Sequence, residues 1–128
     1  MENLHIDGEK NVYFKPTVDF NAETGICEIT GESYLEETIE FYNPIIKWLE
    51  EYTRTTQQLI LFNFKLNYFN TSSSRSIVDI LLVLKEYEEN NGTIEVNWYY
   101  NPHEVDIEDI EDFIEETGVN INIIETLK

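Results

Sequence analysis

The sequence predicts one α/β domain, in which a mixed sheet of four to five strands is covered by about three helices. Two apolar segments rich in β-forming residues, 59–68 and 93–100, are each followed by a segment with helical periodicity. Alternation of this kind is typical of parallel strands joined by helical crossovers. The predicted order over residues 1–128 is strand, strand, helix, strand, helix, strand, helix, strand.

The N-terminal part is predicted to form a hairpin. Residues 1–10 show little periodicity, so we expect a loosely attached start. Short strand segments follow at 12–14 and 17–20. Turn residues at 21–25 then precede a third segment, 26–30, which is typical of a hairpin.

The first helix is predicted over about residues 36–52. Pro44 lies inside it, and a proline removes one backbone donor and clashes with the preceding turn, so we expect a kink or local break near Asn43. The apolar face is predicted to contain Ile39, Tyr42, Ile46 and Leu49.

The central strand, 59–68, leads almost directly into the second helix, predicted over about 73–89. Four consecutive hydroxyl residues, Thr71 to Ser74, lie at this junction. A helix start leaves backbone N–H groups without partners, and a Ser or Thr oxygen can accept from one of them, so capping by one hydroxyl is the simpler interpretation. The other hydroxyls leave room for a phosphate, which the helix dipole would favour.

Arg75 follows the hydroxyl run, four residues after Thr71 and four before Asp79. The simpler role for Arg75 is a surface pair with Asp79. The alternative role is to partner a phosphate at the junction.

The last part of the chain predicts a strand at 93–100, a helix at 105–117 and a strand at 120–125. Eight of the thirteen residues from 104 to 116 are acidic. They lack the loop glycine and ligand alternation of an EF-hand, so we interpret them as a solvated face and predict no metal site.

The charge balance restricts the partners. The 26 acidic and 8 basic residues give a net charge of -18, which argues against nucleic-acid and membrane partners. The single cysteine, Cys27, excludes an internal disulfide and is predicted to be a structural thiol. The chain has no apolar stretch long enough for a signal peptide or a membrane span, so we expect a cytosolic protein.

No catalytic or cofactor-binding motif is present in the sequence. A Gly-rich phosphate loop, paired cysteines and a nucleophile elbow are all absent, and His5 and His103 are predicted to be surface residues. Carboxylates are so abundant that pairs such as Glu36 and Glu40 carry little information. A small carboxylate-based acid–base enzyme is therefore only an alternative of a different class.

Five segments, which follow one another along most of the chain, are distinctive: Gly31-Glu32-Ser33-Tyr34, Phe41-Tyr42-Asn43-Pro44, Trp48-Leu49-Glu50-Glu51-Tyr52, Tyr68-Phe69-Asn70-Thr71-Ser72-Ser73-Ser74 and Val96-Asn97-Trp98-Tyr99-Tyr100. Together they resemble the bacterial SiaC family of regulatory phosphoproteins. The Asn-Thr-Ser-Ser-Ser and Asn-Trp-Tyr-Tyr elements are the most specific parts of this resemblance.

The resemblance implies a STAS-like fold, similar to anti-sigma-factor antagonists, and a non-enzymatic regulator without a cofactor. It implies phosphorylation of Thr71 by a protein kinase and dephosphorylation by a PP2C-like metal-dependent phosphatase. The unmodified form would bind and activate a diguanylate cyclase, in control of c-di-GMP and biofilm, and phosphorylation would abolish this complex. The implied phosphosite and partner surface comprises Asn70, Ser72, Ser73, Ser74 and Arg75.

The sequence is compatible with three alternatives. Physics alone does not decide between Thr71 and Ser72 as phosphoacceptor. An anti-sigma-factor antagonist would share the fold and the switch but have another target. In a constitutive interaction module, Thr71 would only cap the helix.

Overall fold

A computed structural model describes residues 1–126; residues 127–128 of the predicted domain lie outside the described residues. The helices are α1 (Thr38–Thr55), α2 (Thr71–Glu89) and α3 (Ile107–Thr117). The strands are β1 (Leu4–Ile6), β2 (Glu9–Lys10), β3 (Phe14–Lys15), β4 (Thr17–Phe20), β5 (Ile26–Ser33), β6 (Ile60–Phe69), β7 (Ile94–Tyr100) and β8 (Ile121–Glu125). The predicted α/β class is confirmed, and the predicted order corresponds to the elements from β4 to β8.

The main sheet has the strand order β1-β4-β5-β6-β7-β8. Neighbouring strands from β1 to β5 are antiparallel, whereas those from β5 to β8 are parallel. The sheet is therefore mixed, as predicted, but it has six strands instead of four to five. Strands β2 and β3 form a separate two-stranded sheet.

The sixth strand comes from the N-terminal segment, so the prediction of a loosely attached start is wrong. In β1, Leu4 lies opposite Phe20 and Ile6 opposite Val18, and both β1 side chains pack against the core. Three residues are too few to show a periodicity in the sequence, and the pairing depends on the free edge of β4. The predicted strand at 12–14 is also wrong, because only its last residue lies in a strand.

His5 links β1 to β4 through one ring nitrogen, and its other ring nitrogen contacts Asp7 just after β1. Its Nδ1 bonds to a carboxylate oxygen of Asp19 and its Nε2 lies 2.7 Å from Oδ1 of Asp7. The hydrogen bonds to Asp19 and then Asp7 raise the pKa of the His5 imidazole above its ordinary value. His5 and His103 are both exposed, which confirms their predicted surface position.

We expect the attachment of β1 to weaken as the pH rises. The pKa of His5 is higher in the folded than in the unfolded chain, so its stabilising contribution is complete below the unfolded value of about 6.5. It is lost as the pH rises through the folded value. The melting temperature of the His5→Gln variant should lie below that of wild type at pH 5.5, and this difference should shrink as the pH rises to 8.5. A difference that stays constant over this range would contradict the prediction.

The helices form one layer against the sheet. α1 contacts α2, and α2 contacts α3, as expected when successive parallel strands are joined by crossovers of the same hand. Phe62, Phe64 and Leu66 of β6 are fully buried, and so is Trp98 of β7. None of the helices within residues 1–126 is long and apolar enough to cross a membrane.

Helix α1 differs from its prediction in two respects. It runs unbroken from Thr38 to Thr55 through Pro44, so the predicted local break is wrong; one missing N–H is offset by the burial of the helix face. Ile39, predicted on the core face, is 79% exposed. The buried stripe passes through Thr38 instead, with Tyr42, Ile45, Leu49 and Tyr52 on the later turns.

Candidate functional site

The hydroxyl run lies where β6 passes into α2. β6 ends at Phe69 and α2 begins at Thr71, so Asn70 is the only residue between them. The Asn70 N–H donates to the Ser33 carbonyl at 3.0 Å, which fixes the end of β6 to β5. Helix α2 thus starts two residues earlier than the predicted position near Ser73.

The side chain of Asn70 caps α2, so the prediction of a hydroxyl cap is wrong. Asn70 Oδ1 accepts from the Ser73 N–H at 3.1 Å. The Asn70 amide also donates to the Leu35 carbonyl at 3.1 Å. An asparagine at this position offers both an acceptor and a donor, whereas a hydroxyl would not reach both groups. The constitutive alternative, in which Thr71 caps the helix, loses its basis.

Replacing Asn70 by alanine should lower the free energy of unfolding by about 1 to 2 kcal/mol, because the cap and the bond to Leu35 are lost together. Asn70→Asp retains the acceptor oxygens and should lose less. Urea denaturation measures both effects. Unchanged stability of Asn70→Ala, with a loss in Ser72→Ala, would instead assign the cap to a hydroxyl.

Ser73 belongs to a buried polar network. Its Oγ lies 2.6 Å from Asn70 Oδ1 and 2.7 Å from the hydroxyl of Ser33, which in turn lies 2.7 Å from the hydroxyl of Tyr42. Burial raises the pKa of Tyr42 to about 12. Ser73 is fully buried, so its hydroxyl is inaccessible to a kinase. Ser33 and Tyr42 were not predicted as site residues, because only the fold brings them to the junction.

Two hydroxyl residues of the run are exposed, Thr71 and Ser72. Ser72 Oγ lies 2.7 Å from the hydroxyl of Thr38 and 3.3 Å from Asn70 Oδ1. The Thr71 hydroxyl forms no hydrogen bond with any residue from 1 to 126. Ser74 is half-buried, and its hydroxyl donates to the Asn70 carbonyl at 3.3 Å. Thr71 therefore has the hydroxyl that a partner can reach without breaking an internal bond.

Arg75 lies one turn after Thr71 on α2. Its side chain is 74% exposed, and its Nε is 3.8 Å from Oδ1 of Asp79. This is the surface pair that the spacing predicts, and a pair so exposed contributes little to stability. The guanidinium can therefore leave Asp79 at small cost.

Thr71 and Arg75 border a groove of about 480 Å³ between α2 and α3. The wall on α3 contains Asp109, Asp112 and Glu116. A phosphate on Thr71 would thus have one cation nearby and three carboxylates across the groove. The groove is lined by Phe69, Thr71, Ser74, Arg75, Val78, Asp109, Asp112, Phe113 and Glu116.

The acidic residues of 104–116 are exposed, which confirms the predicted solvated face. Within residues 1–126, no three or more His, Cys, Asp or Glu side chains come together in a way that could hold a metal ion. Cys27 is buried, and burial raises the pKa of its thiol to about 12. This agrees with the predicted structural role of Cys27, because a thiol is unreactive in that state.

Over most of its length the chain is similar to a protein family and to one curated relative. A model of the family described as SiaC family regulatory phosphoprotein matches residues 6–126. An uncharacterized protein of Pseudomonas aeruginosa strain UCBPP-PA14 is 29% identical over 101 residues, which are 79% of this chain and 78% of that protein.

Solved structures agree with this match. SiaC of Pseudomonas aeruginosa superposes with a TM-score of 0.88 at 27% identity, covering 98% of this chain and 100% of that chain. A chain in the complex of the diguanylate cyclase SiaD with its activator SiaC, from the same species, gives a TM-score of 0.86 at 26% identity, over 96% and 99% of the two chains. The resemblance seen in the sequence is thereby confirmed: this chain belongs to the SiaC family of regulatory phosphoproteins.

Proposed function

We propose that this chain is a cytosolic, non-enzymatic regulator that is switched by reversible phosphorylation of Thr71. The unmodified form binds and activates a diguanylate cyclase, and the phosphorylated form does not. A protein kinase adds the phosphate and a PP2C-like metal-dependent phosphatase removes it. Residues 1–128 act as a single regulatory domain.

The observation that carries this proposal is the state of the hydroxyl groups at the junction. Ser73 is buried and Ser72 is bonded to Thr38, whereas the Thr71 hydroxyl is exposed and makes no bond within residues 1–126. Membership of a family of regulatory phosphoproteins supports a switch, and the complex of SiaD with its activator SiaC supports a cyclase as the target.

The electrostatics of the junction suit a phosphate that prevents binding. A phosphate adds a charge of about -1.5 to -2 at neutral pH. Arg75 and the helix start can attract it, but Asp79 and the carboxylates of the groove oppose it. The groove beside Thr71 contains one arginine and three carboxylates and is therefore not a basic phosphate-binding pocket. The phosphate stays exposed on the surface that the proposed partner covers.

The test uses diguanylate cyclases of the source organism, each purified separately. Synthesis of c-di-GMP from GTP is measured with and without this protein. One sample is purified from its native host, with the phosphosite mapped by mass spectrometry, and a second is first treated with a metal-dependent phosphatase. The proposal is supported if the untreated protein carries a phosphate on Thr71 and only the phosphatase-treated protein activates a cyclase.

Two results would contradict it. If no cyclase responds and an anti-sigma kinase is captured instead, the protein is an anti-sigma-factor antagonist. If the phosphate maps to Ser72, the switch is assigned to the wrong residue.

A further inference from the structure

The N-terminal segment is attached to the domain by few contacts, and we refer to residues 2–7 as the N-terminal strap. Its strand β1 is the edge strand of the main sheet and pairs there with β4 alone. Ahead of β1, the Glu2 carbonyl accepts from the Trp48 indole N–H at 2.9 Å, and the Asn3 side chain accepts from the Ala22 N–H at 2.8 Å. A segment with so few contacts opens more easily than the core of a domain.

The contacts of His5 depend on its protonation state. One ring nitrogen, Nδ1, bonds to a carboxylate oxygen of Asp19 on β4, and the other, Nε2, lies 2.7 Å from Oδ1 of Asp7. An ionised carboxylate only accepts hydrogen bonds. A neutral imidazole donates from one nitrogen, whereas an imidazolium donates from both. The two contacts together therefore require the imidazolium form of His5.

His5 belongs to a row of charged side chains on the sheet. It lies opposite Asp19, and Asp19 lies opposite Glu28 of β5. Phe20, next to Asp19, is buried in the core, so the row points away from the helices. Like charges directly opposite one another on neighbouring strands are destabilising. The imidazolium of His5 and the ammonium of Lys65, which lies 3.2 Å from Glu28, offset this repulsion from the two sides.

Loss of the His5 proton turns an attraction into a repulsion. Lys15 of β3 is paired with Glu9 of β2 at 3.4 Å, so this lysine is already engaged. When His5 is neutral, one of its ring nitrogens presents a lone pair to a carboxylate. The charges left along the edge between the strap and β4 are then those of Asp7 and Asp19, which have the same sign.

We propose that the N-terminal strap is a pH-sensitive cover of the β4 edge. It is closed while both ring nitrogens of His5 carry a proton. When one of these protons is lost to the solvent, the strap separates from β4 while the rest of the domain stays folded. The open state uncovers the backbone groups of β4, and a free strand edge is a pairing site for other strands. This inference does not depend on the proposed function.

The exposure of His5 explains why the opening is local. Its side chain is 55% exposed, and ion pairs so exposed contribute little to the stability of a whole domain. A small contribution is sufficient for a strap, because local openings of edge segments require much less free energy than global unfolding. Since the contacts with Asp19 and Asp7 raise the pKa of His5, closure is complete below about pH 6.5 and is lost as the pH rises through the folded value.

The experiment follows the two tryptophan indole N–H signals by proton–nitrogen NMR between pH 5.5 and 8.5. Trp48 reports on closure, because its indole bonds to the strap at Glu2. Trp98 is the internal control, since it is buried in the core and its indole has no hydrogen-bond partner in residues 1–126. In wild type, the Trp48 signal should shift with the same midpoint as the ring signals of His5, while the Trp98 signal should stay in place.

Three variants identify the group that controls the strap. His5→Gln should keep the Trp48 signal near its alkaline position at every pH. Asp19→Asn should lower the midpoint, because it removes the carboxylate that raises the pKa of His5 most. His103→Gln is the matched control: His103 is the other histidine, is also exposed and lies in the loop after β7, and its replacement should leave the titration of Trp48 unchanged.

Hydrogen exchange measured by mass spectrometry tests whether the opening is local. After correction for the intrinsic effect of pH, the strap should lose protection by about threefold or more between pH 5.5 and 8.5, whereas β6 should keep its protection. The proposal is overturned if Trp48 does not titrate, if it titrates equally in His5→Gln, or if strap and β6 lose protection together.

Discussion

Replacing Thr71 by glutamate is expected to weaken the complex with the diguanylate cyclase by about a hundredfold, which corresponds to about 2.7 kcal/mol. The glutamate places a negative charge in the proposed contact with the cyclase. A charge that is buried at an interface without a partner costs several kcal/mol. The fold should persist, because Asn70 and not Thr71 caps α2. The Kd by calorimetry and the rate of c-di-GMP synthesis measure the effect.

Two substitutions serve as controls for this prediction. Thr71→Val has a similar shape, and it removes a hydroxyl that makes no bond within residues 1–126, so binding should be retained while phosphorylation is lost. Ser72→Ala removes the contact with Thr38 but keeps the phosphoacceptor, so the switch should still operate. Loss of binding in Thr71→Val would show that the partner recognises the hydroxyl itself.

The largest effect on stability is expected for Trp98→Ala, at about 3 to 5 kcal/mol of unfolding free energy. Trp98 is fully buried. Its ring stacks on Phe64 at a centroid distance of 4.6 Å and on Phe113 at 5.6 Å, and it meets the edge of Phe69. Removal would leave a cavity between β6, β7 and α3. Since domains are stable by only about 5 to 15 kcal/mol, a large part of the folded population would be lost.

Urea denaturation measures this loss, with two controls. Trp98→Phe keeps an aromatic ring and also removes an indole N–H that is buried without a hydrogen-bond partner in residues 1–126, so it should cost clearly less than alanine. Tyr99→Ala alters the neighbouring, half-buried residue of β7 and should have a smaller effect. Equal losses in Trp98→Ala and Tyr99→Ala would contradict a core centred on Trp98.

Local patterns sufficed for the long elements. The ends of α2 and α3 were predicted to within about two residues, because helical periodicity over several turns and glycines such as Gly118 act through nearby residues in the chain. The junction was also found, since a strand followed at once by a helix with a polar start is a local feature. The residue that caps the helix was missed, because both asparagine and the hydroxyls are good caps.

The exposed positions could not be predicted in the same way. Ile39 has the same spacing as a core residue, yet it is exposed, because Thr38 contacts Ser72 of another helix. Tyr68 continues the alternation of β6, but the bulge at Asn67 reverses its direction. The exposure of Ile39 and Tyr68 thus has no signature in the sequence.

The sequence by itself determined the α/β class, the order of the central elements, the family and the junction that contains Thr71, because these depend on periodicity and on short motifs. The tertiary structure decided the pairing of β1, the role of Asn70, the burial of Ser73, the exposure of Ile39 and Tyr68, and the exposure of the Thr71 hydroxyl, which makes no hydrogen bond within residues 1–126. These features depend on contacts between residues that are far apart in the chain, such as Ser33 with Ser73 and Thr38 with Ser72. Periodicity reports which residues can be buried, but only packing selects which of them are.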